Sequence, residues 1–270
     1  MDTPLSIFAG DRLRADLFNP TGRRLLVTFR HRVHTDGVFD APRPSQGYVE
    51  AGHAHLHIQT RLNDWYINDE TTALERALAQ ATSGYGRRVA LGFSMGGYGA
   101  LRFSSVLDLR HVVLVTPQFS IHPQVVPFDK RFRNCAGEFD AALGDLATHG
   151  RRQVAGVILL DPFRPLDLRN ARLVQRHFRR LSVARTPGAG HQAARVLKSG
   201  GHFGRFQQAL LDPPVRTRDV IAWHKAGRRG SAEYWTGLGD AAQKHGHVAL
   251  ADTARARAAS LIGSKGPSGG

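Results

Sequence analysis

Cysteine is nearly absent from this chain, since Cys135 is the only one among 270 residues. No intrachain disulfide can form, and nothing in the sequence calls for an oxidising compartment. The sequence also lacks any apolar stretch approaching the roughly 20 residues that a membrane-spanning helix needs. Its first ten residues include an acid and a proline instead of a basic start followed by an apolar run. We therefore expect a cytoplasmic protein with no membrane partner.

Acidic residues are scarce relative to basic ones: 22 Asp and Glu stand against 37 Lys and Arg, a formal net charge of +15. Such an excess attracts nucleic acid or acidic substrates when it is concentrated on one surface. Here the basic residues are scattered as short pairs such as Arg87-Arg88 and Arg151-Arg152. They form no block of the kind that marks a nucleic-acid arm. We expect a general bias of composition and no nucleic-acid partner.

The hydrophobic residues are grouped into short runs rich in Val, Leu and Ile, which predict buried strands. Helical patterns lie between these runs, and strands that alternate with helices pair in parallel through crossover connections. The predicted fold is therefore α/β, with a doubly wound, mostly parallel sheet. The predicted strands are 25–29, 55–59, 89–93, 111–116, 157–160 and 181–186, and the predicted helices are 69–81, 96–106, 168–180, 191–198 and 203–211.

Two parts of the chain break this alternation. Pro117–Arg152 has no strand pattern and is expected to lie over the edge of the sheet as a small lid or excursion. After residue 212 only helical patterns remain, and the last residues are Gly, Ser, Lys and Pro. We expect an α/β domain over 1–212, a small all-helical extension over 213–262 and a disordered tail over 263–270.

The strongest motif is the G-x-S-x-G run from Gly92 to Gly96, with Ser94 at its centre. A buried strand pattern leads into it, and a helical pattern leaves it. This arrangement places a serine hydroxyl on a tight turn above the sheet, where larger side chains two residues before and after it would collide. The helix N-terminus favours developing negative charge, so the N–H of Met95 is a candidate oxyanion donor.

The run Gly92 to Leu101, G-F-S-M-G-G-Y-G-A-L, resembles the nucleophile elbow of α/β-hydrolase esterases and acyl hydrolases. The resemblance extends over about residues 25–211. It implies an α/β-hydrolase fold, a serine nucleophile, no cofactor, and a catalytic triad in the chain order serine, acid, histidine.

Two carboxylates follow the predicted strand 157–160 and are candidates for the acid. Asp161 comes directly after the strand and is preferred. Asp167 is the alternative, although it is also placed to cap the next helix. For the histidine, His191 follows the last predicted strand in a Gly-rich loop and is preferred over His202. Ser94, Asp161 and His191 form the predicted triad.

A second oxyanion donor is implied at the turn after strand 25–29, near Arg30 and His31, and Arg30 is the candidate. Lipase-like members of the resembled group carry H-G-G-G there, whereas this chain has Phe29-Arg30-His31-Arg32. Arg30 and Arg32 could favour an anionic substrate, or they could be ordinary solvated loop arginines.

His53, His55 and His57 alternate along one segment, a spacing that can bind zinc. No Asp or His follows closely to complete a ligand set, so we expect a strand edge and no metal or other cofactor.

Trp235, Leu238, Gly239, Gly246, Ala251 and Ala258 have the spacing of one tetratricopeptide repeat, with helices expected at 231–244 and 248–261. An ordinary helical hairpin is the alternative interpretation. Under both interpretations the hairpin is too small to bury its own apolar face. It must therefore pack on the α/β domain, on a second copy in a homodimer, or on a protein partner.

These observations favour a serine hydrolase that cleaves a carboxylic ester, thioester or related acyl bond of a small-molecule substrate through an acyl-enzyme. One alternative is an acyltransferase that uses the same triad with a glycan or small alcohol as acceptor. The other is a non-catalytic scaffold that binds a protein partner through the hairpin.

Overall fold

The computed structural model describes residues 3–211 and 215–263, which are built around one eight-stranded sheet. The strand order is β1-β2-β4-β3-β5-β6-β7-β8. β2 runs antiparallel to β1 and β4. The other six strands, β3 to β8 in chain order, are mutually parallel. The strands are β1 Leu5–Ala9, β2 Leu13–Phe18, β3 Arg24–Phe29, β4 Ala54–Thr60, β5 Arg87–Phe93, β6 His111–Val115, β7 Ala155–Leu160 and β8 Leu181–Arg185.

Ten α-helices lie within the described ranges. None of them is long and apolar enough to cross a membrane. The helices are α1 Gln46–Glu50, α2 Thr71–Thr82, α3 Met95–Arg102, α4 Leu146–His149, α5 Pro165–His177, α6 Arg195–Ser199, α7 Phe203–Leu211, α8 Thr217–Gly227, α9 Ala232–Lys244 and α10 Val248–Gly263.

Side chains that alternate along the strands fill two apolar clusters on opposite faces of the sheet. Along β3, Leu25 and Val27 belong to one cluster, and Leu26 between them belongs to the other. The first cluster also takes in α2, α3 and α5, and the second takes in α6, α7 and α8. Helices therefore cover both faces, and the predicted doubly wound, mostly parallel fold is confirmed.

The six predicted strands are all present, but β1 and β2 were not predicted. Two helices differ from the prediction in a way that affects the site. α5 begins at Pro165, three residues early, because proline suits the first position of a helix. α6 covers only Arg195–Ser199, so His191 lies in a loop and not in a helix.

The segment Pro117–Arg152 contains no strand, as predicted, and every residue of it is described. It is not a detached lid, because Ile121, Val126 and Phe139 are buried in the first apolar cluster.

The C-terminal helical pair is present as α9 and α10, which pack on each other through small residues such as Gly239 and Ala254. α8 packs against β8 and contributes Val220 to the second cluster, so its apolar contacts are shared with the sheet. The predicted boundary at 212 falls at 212–214, outside the described residues. The predicted tail over 263–270 also lies outside them, except for Gly263, which ends α10.

Candidate active site

The candidate residues come together at the carboxyl ends of the parallel strands, the edge where open α/β sheets bind their ligands. Ser94 follows β5, Thr116 follows β6, Asp161 follows β7, and the loop that carries His191 follows β8. Four neighbouring strands thus each contribute one segment to the site.

Ser94 sits in a sharp turn between β5 and α3, with φ +50° and ψ −117°. Its N–H donates to the carbonyl oxygen of Val115 at 2.8 Å, which fixes the turn to the neighbouring strand. A Cβ on Gly92 would lie 2.3 Å from the oxygen of Gly96, and one on Gly96 would lie 2.7 Å from the oxygen of Phe29. Only glycine fits at either position, and the close approach holds the serine hydroxyl above the sheet.

His191 bridges the serine and a carboxylate. Its Nε2 lies 3.2 Å from Ser94 Oγ, and its Nδ1 lies 2.9 Å from Asp167 Oδ2. Asp167 is 1% exposed and lies in the first turn of α5, where the helix dipole stabilises negative charge. Burial alone would raise the pKa of Asp167, but the hydrogen bond from His191 and the charge of Arg131 hold that pKa below its ordinary value. The carboxylate therefore stays ionised beside the imidazole.

The structure does not place Asp161, the preferred acid, on the histidine. Asp161 Oδ1 accepts the N–H of Phe163 at 2.9 Å, and Oδ2 accepts the N–H of Gly190 at 2.7 Å. A carboxylate at the very end of a strand is within reach of these backbone donors, whereas Asp167 lies far enough along α5 to meet the imidazole. Asp161 instead anchors the histidine loop, together with Thr116, whose hydroxyl donates to the carbonyl of His191 at 2.8 Å.

The alternative histidine, His202, follows α6, and its ring lies beside Gly227 of α8. It therefore belongs to the packing of the second helix layer and not to the serine.

The N–H of Arg30 is not free to act as an oxyanion donor, because it bonds the carbonyl of Ile58 at 2.9 Å. The Arg30 side chain is buried and bonds the carbonyls of Val38 and Thr60, with an ion pair to Asp40 at 2.9 Å. Arg30 thus holds together the loop after β3, which corrects both predicted roles for this residue.

The peptide that joins Arg30 and His31 is better oriented to supply an oxyanion donor. The hydroxyl of the buried Tyr66 donates to the carbonyl of Arg30. In a trans peptide the N–H points opposite to the carbonyl, so the N–H of His31 points away from Tyr66. His31 and Ser94 both line the cavity described below. Within the described ranges, neither this N–H nor that of Met95 has a protein acceptor.

Two further residues of the site were not predicted. The Nε2 of Gln118 lies 3.2 Å from Ser94 Oγ and 3.2 Å from the carbonyl of Thr116. Its position three residues after the end of β6 is a signal that sequence reasoning could have used. Arg131 donates to Asp167 Oδ1 at 2.7 Å and to Asp129 Oδ2 at 2.7 Å. It lies in irregular chain, where no local pattern marks it.

An open cavity of about 620 Å³ lies over Ser94 and His191. Its size is in the range of small-molecule sites. Phe93, Phe132 and Phe203 form apolar walls, and several Arg and Lys side chains line the rest.

Within the histidine-rich segment, His55 and His57 lie in β4 and His53 directly precedes that strand. His55 and His57 form hydrogen bonds between β3 and β4. His55 Nε2 and His57 Nδ1 lie 2.7 and 2.8 Å from Thr28 Oγ1, and His55 Nδ1 accepts the N–H of Ser45 at 2.9 Å. Burial lowers the pKa of His55 to about 3 and that of His57 to about 4. Across the described residues, no group of His, Cys, Asp or Glu is arranged to hold a metal ion.

No family model matches the sequence, and no curated protein sequence matches it. Solved structures do resemble it. The capsule O-acetyltransferase of Neisseria meningitidis serogroup A shares 14% identity over 76% of this chain and 94% of that chain, with a TM-score of 0.54. A mutant of that enzyme in complex with CoA has the same TM-score.

Two other solved structures have a lower TM-score to this chain. A glycosylation-associated protein complex from Streptococcus agalactiae shares 11% identity over 74% of this chain and 44% of that chain, with a TM-score of 0.50. MGS-M1, an α/β-hydrolase enzyme from a deep-sea metagenome library, shares 12% identity over 83% and 93% of the two chains, with a TM-score of 0.49. At such low identities the likeness shows the fold alone, a mostly parallel α/β sheet with helices on both faces.

Proposed function

We propose that this protein is a serine acyl hydrolase whose catalytic triad is Ser94, His191 and Asp167. The observation that carries the proposal is the continuous hydrogen-bonded path from Ser94 Oγ through the imidazole to a buried carboxylate. It starts at a serine held in a strained turn, a backbone cost that persists only where the surrounding structure enforces it.

The proposed reaction begins when Ser94 Oγ attacks the acyl carbonyl while His191 Nε2 takes its proton. Asp167 keeps Nδ1 protonated, so that Nε2 is the free base, and stabilises the imidazolium that forms. The carbonyl oxygen becomes an oxyanion, for which the N–H groups of Met95 and His31 are the candidate donors. His191 then protonates the leaving alcohol or thiol, and an ester on Ser94 remains.

Water completes hydrolysis by attacking this ester, with His191 again taking the proton. An alcohol in place of water would give acyl transfer by the same steps. The likeness in fold to a capsule O-acetyltransferase favours testing this second outcome. The choice between hydrolysis and transfer is decided by whether the acyl group is found on an added glycan or simple alcohol or is released by water as the free acid.

The first experiment is labelling of the purified protein with a fluorophosphonate, which reacts with activated serines. We expect wild type to label, Ser94→Ala to lose labelling, and His191→Ala and Asp167→Asn to label at least about a hundredfold more slowly. Asp161→Asn is the comparison variant: it removes the charge of the neighbouring carboxylate, which anchors the histidine loop through backbone N–H groups, so we expect it to slow labelling less than Asp167→Asn does. Folded wild type that never labels would contradict the enzyme proposal and favour the scaffold alternative.

If the protein labels, hydrolysis of an ester and thioester panel follows, with and without added alcohol acceptors. Acyl-product analysis then separates hydrolysis from transfer. Stronger loss of labelling in Asp161→Asn than in Asp167→Asn would reverse the assignment of the acid.

A further inference from the structure

The cavity over Ser94 is lined by an unusual concentration of positive charge. Five of its fifteen lining residues are Arg or Lys, and none is Asp or Glu. Over the whole chain, 37 of 270 residues are Arg or Lys and 22 are acidic. The cavity is therefore richer in cations than the general bias of composition explains.

Most of these cations have no counter-charge. Arg131 is paired with Asp129 and Asp167. The other four side chains are exposed, and within the described ranges none of them has an ion pair or a side-chain hydrogen bond. These four are Arg32, Arg164, Arg195 and Lys198. We refer to them as the basic rim.

The basic rim comes from three separate parts of the fold that meet around Ser94. Arg32 lies in the loop after β3, and Arg164 directly precedes α5. Arg195 and Lys198 lie one turn apart on α6, so they share a face of that helix. Convergence of unpaired like charges on one cavity costs free energy through repulsion, which a bound anion would relieve.

The same cavity has an apolar side formed by Phe93, Phe132 and Phe203. A ligand that fits both surfaces is an amphiphilic anion with an acyl or other apolar part. On the basis of the proposed function, we infer that the acyl substrate of Ser94 carries a fixed negative charge, a phosphate or a carboxylate, that is bound by the basic rim. The charge lies either on the leaving group or on the acyl group.

The test compares matched pairs of substrates that differ in a single anionic group. S-acetylpantetheine and its phosphate ester place the charge on the leaving group, and para-nitrophenyl butyrate and para-nitrophenyl hemisuccinate place it on the acyl group. We expect wild type to prefer the anionic member of one pair by about tenfold in kcat/KM at low salt, with a smaller preference at high salt. The pair that shows the preference identifies the source of the charge.

Variants then connect the preference to the basic rim. Arg195→Gln combined with Lys198→Gln removes two of the four rim cations and should reduce the anionic-to-neutral ratio severalfold. Arg172→Gln combined with Arg176→Gln removes two exposed arginines from α5 that do not line the cavity, and it should leave the ratio as in wild type. The ratio is measured within each variant, so it does not depend on total activity, and thermal unfolding checks that each variant is folded.

Fluorophosphonate labelling distinguishes failure of the charge inference from failure of the acyl hydrolase proposal. If wild type labels with a neutral fluorophosphonate but shows no charge preference, or if the α6 double variant keeps the full wild-type preference, the charge inference is overturned and the acyl hydrolase proposal stands. If the protein hydrolyses neither pair, the same comparison is made by protection of Ser94 from the fluorophosphonate. The inference requires phosphopantetheine to slow labelling more than pantetheine does, or succinate more than butyrate. Equal protection by the charged and neutral compounds overturns the inference. If wild type does not label at all, both proposals fail.

Discussion

Arg131 lies 2.7 Å from Asp167 Oδ1, the oxygen of the candidate triad carboxylate that His191 does not use. The same guanidinium binds Asp129, which in turn accepts a hydrogen bond from Asn170 at 2.8 Å. Burial alone would raise the pKa of Asp129, but the hydrogen bond and charge of Arg131 keep that pKa below its ordinary value. A positive charge therefore lies beside the carboxylate that would stabilise the protonated imidazole.

Replacing Arg131 should change how activity depends on pH. Arg131→Gln removes a cation whose charge and hydrogen bond help to hold the pKa of Asp167 below its ordinary value. That pKa should rise in the variant, so the carboxylate takes up its proton at a higher pH and the acidic limb of the kcat/KM profile should move up. The four cations of the basic rim face the same cavity and are unchanged in the variant.

Arg131→Lys keeps the charge and should restore most of the wild-type profile, which a purely structural role would not require. Profiles measured with one neutral ester in the three proteins are sufficient. An acidic limb at the same pH in wild type and Arg131→Gln would contradict this role.

The parallel strands and the serine turn could be predicted because their signals are local. β3, β5, β6 and β7 each contain a short apolar run, and the glycines around Ser94 reflect contacts within one turn. β1 and β2 were missed because their apolar runs are interrupted by polar residues, among them Asp16. That residue is nonetheless buried, in an ion pair with Arg14 at 2.8 Å.

The acid and the oxyanion donor could not be assigned from local pattern. Asp161 and Asp167 both follow β7, and only the three-dimensional path of α5 decides which one meets His191. The N–H of Arg30 cannot donate to an oxyanion because it already donates to the carbonyl of Ile58 on the neighbouring strand, a residue distant in the sequence. Arg131 belongs to a segment with no regular structure, so only the folded chain reveals its contact with Asp167.

Tyr66 is expected to act on the reaction through the peptide that joins Arg30 and His31. Tyr66→Phe removes the hydroxyl that fixes the Arg30 carbonyl, so the His31 N–H loses its orientation. We expect kcat to fall about tenfold with little change in KM, because an oxyanion donor acts mainly in the transition state. Steady-state kinetics on one ester measures both constants.

Tyr85→Phe is the matched control, since the Tyr85 hydroxyl also donates to a backbone carbonyl, that of Pro20, at 2.7 Å but in an exposed position. It should leave kcat unchanged. An unpaired buried carbonyl also costs about 1–3 kcal/mol of stability, so both variants are assayed well below their unfolding temperatures. A Tyr66→Phe protein with wild-type kcat would remove His31 from the proposed oxyanion site.

Contact between α9 and the histidine loop predicts that the C-terminal hairpin affects activity. A Cβ on Gly237 would lie 2.4 Å from the carbonyl oxygen of Gly188, three residues before His191. Gly237→Ala must therefore displace either α9 or the loop, and we expect kcat to fall severalfold, since small displacements of catalytic groups are costly.

Gly239→Ala is the control on the same helix, because its Cβ would face α10, with the Arg255 side chain as its nearest neighbour at 3.2 Å. Both changes raise helix propensity by about 1 kcal/mol, so a difference in activity reports the loop contact and not the helix. Equal kcat values for the two variants would show that α9 does not position His191.

The buried histidines of β4 predict a loss of stability in mild acid. His55 is 2% exposed, and burial lowers its pKa to about 3, while that of neighbouring His57 falls to about 4. As pH falls below about 6.5, the unfolded chain binds protons at both residues and the folded chain does not. Their contribution to stability is therefore complete above that pH and is lost progressively below it.

Between pH 6.5 and pH 5 each of these histidines should lower the free energy of unfolding by about 2 kcal/mol, at 1.36 kcal/mol per pH unit. Urea unfolding at pH 7.5 and pH 5.0 measures the change. His55→Gln keeps a side chain able to form hydrogen bonds but does not titrate, so its loss over this interval should be smaller than that of wild type by about 2 kcal/mol. His245→Gln removes an exposed histidine and should behave as wild type. An equal loss in His55→Gln and wild type would mean that His55 takes up its proton as readily in the folded chain as in the unfolded one.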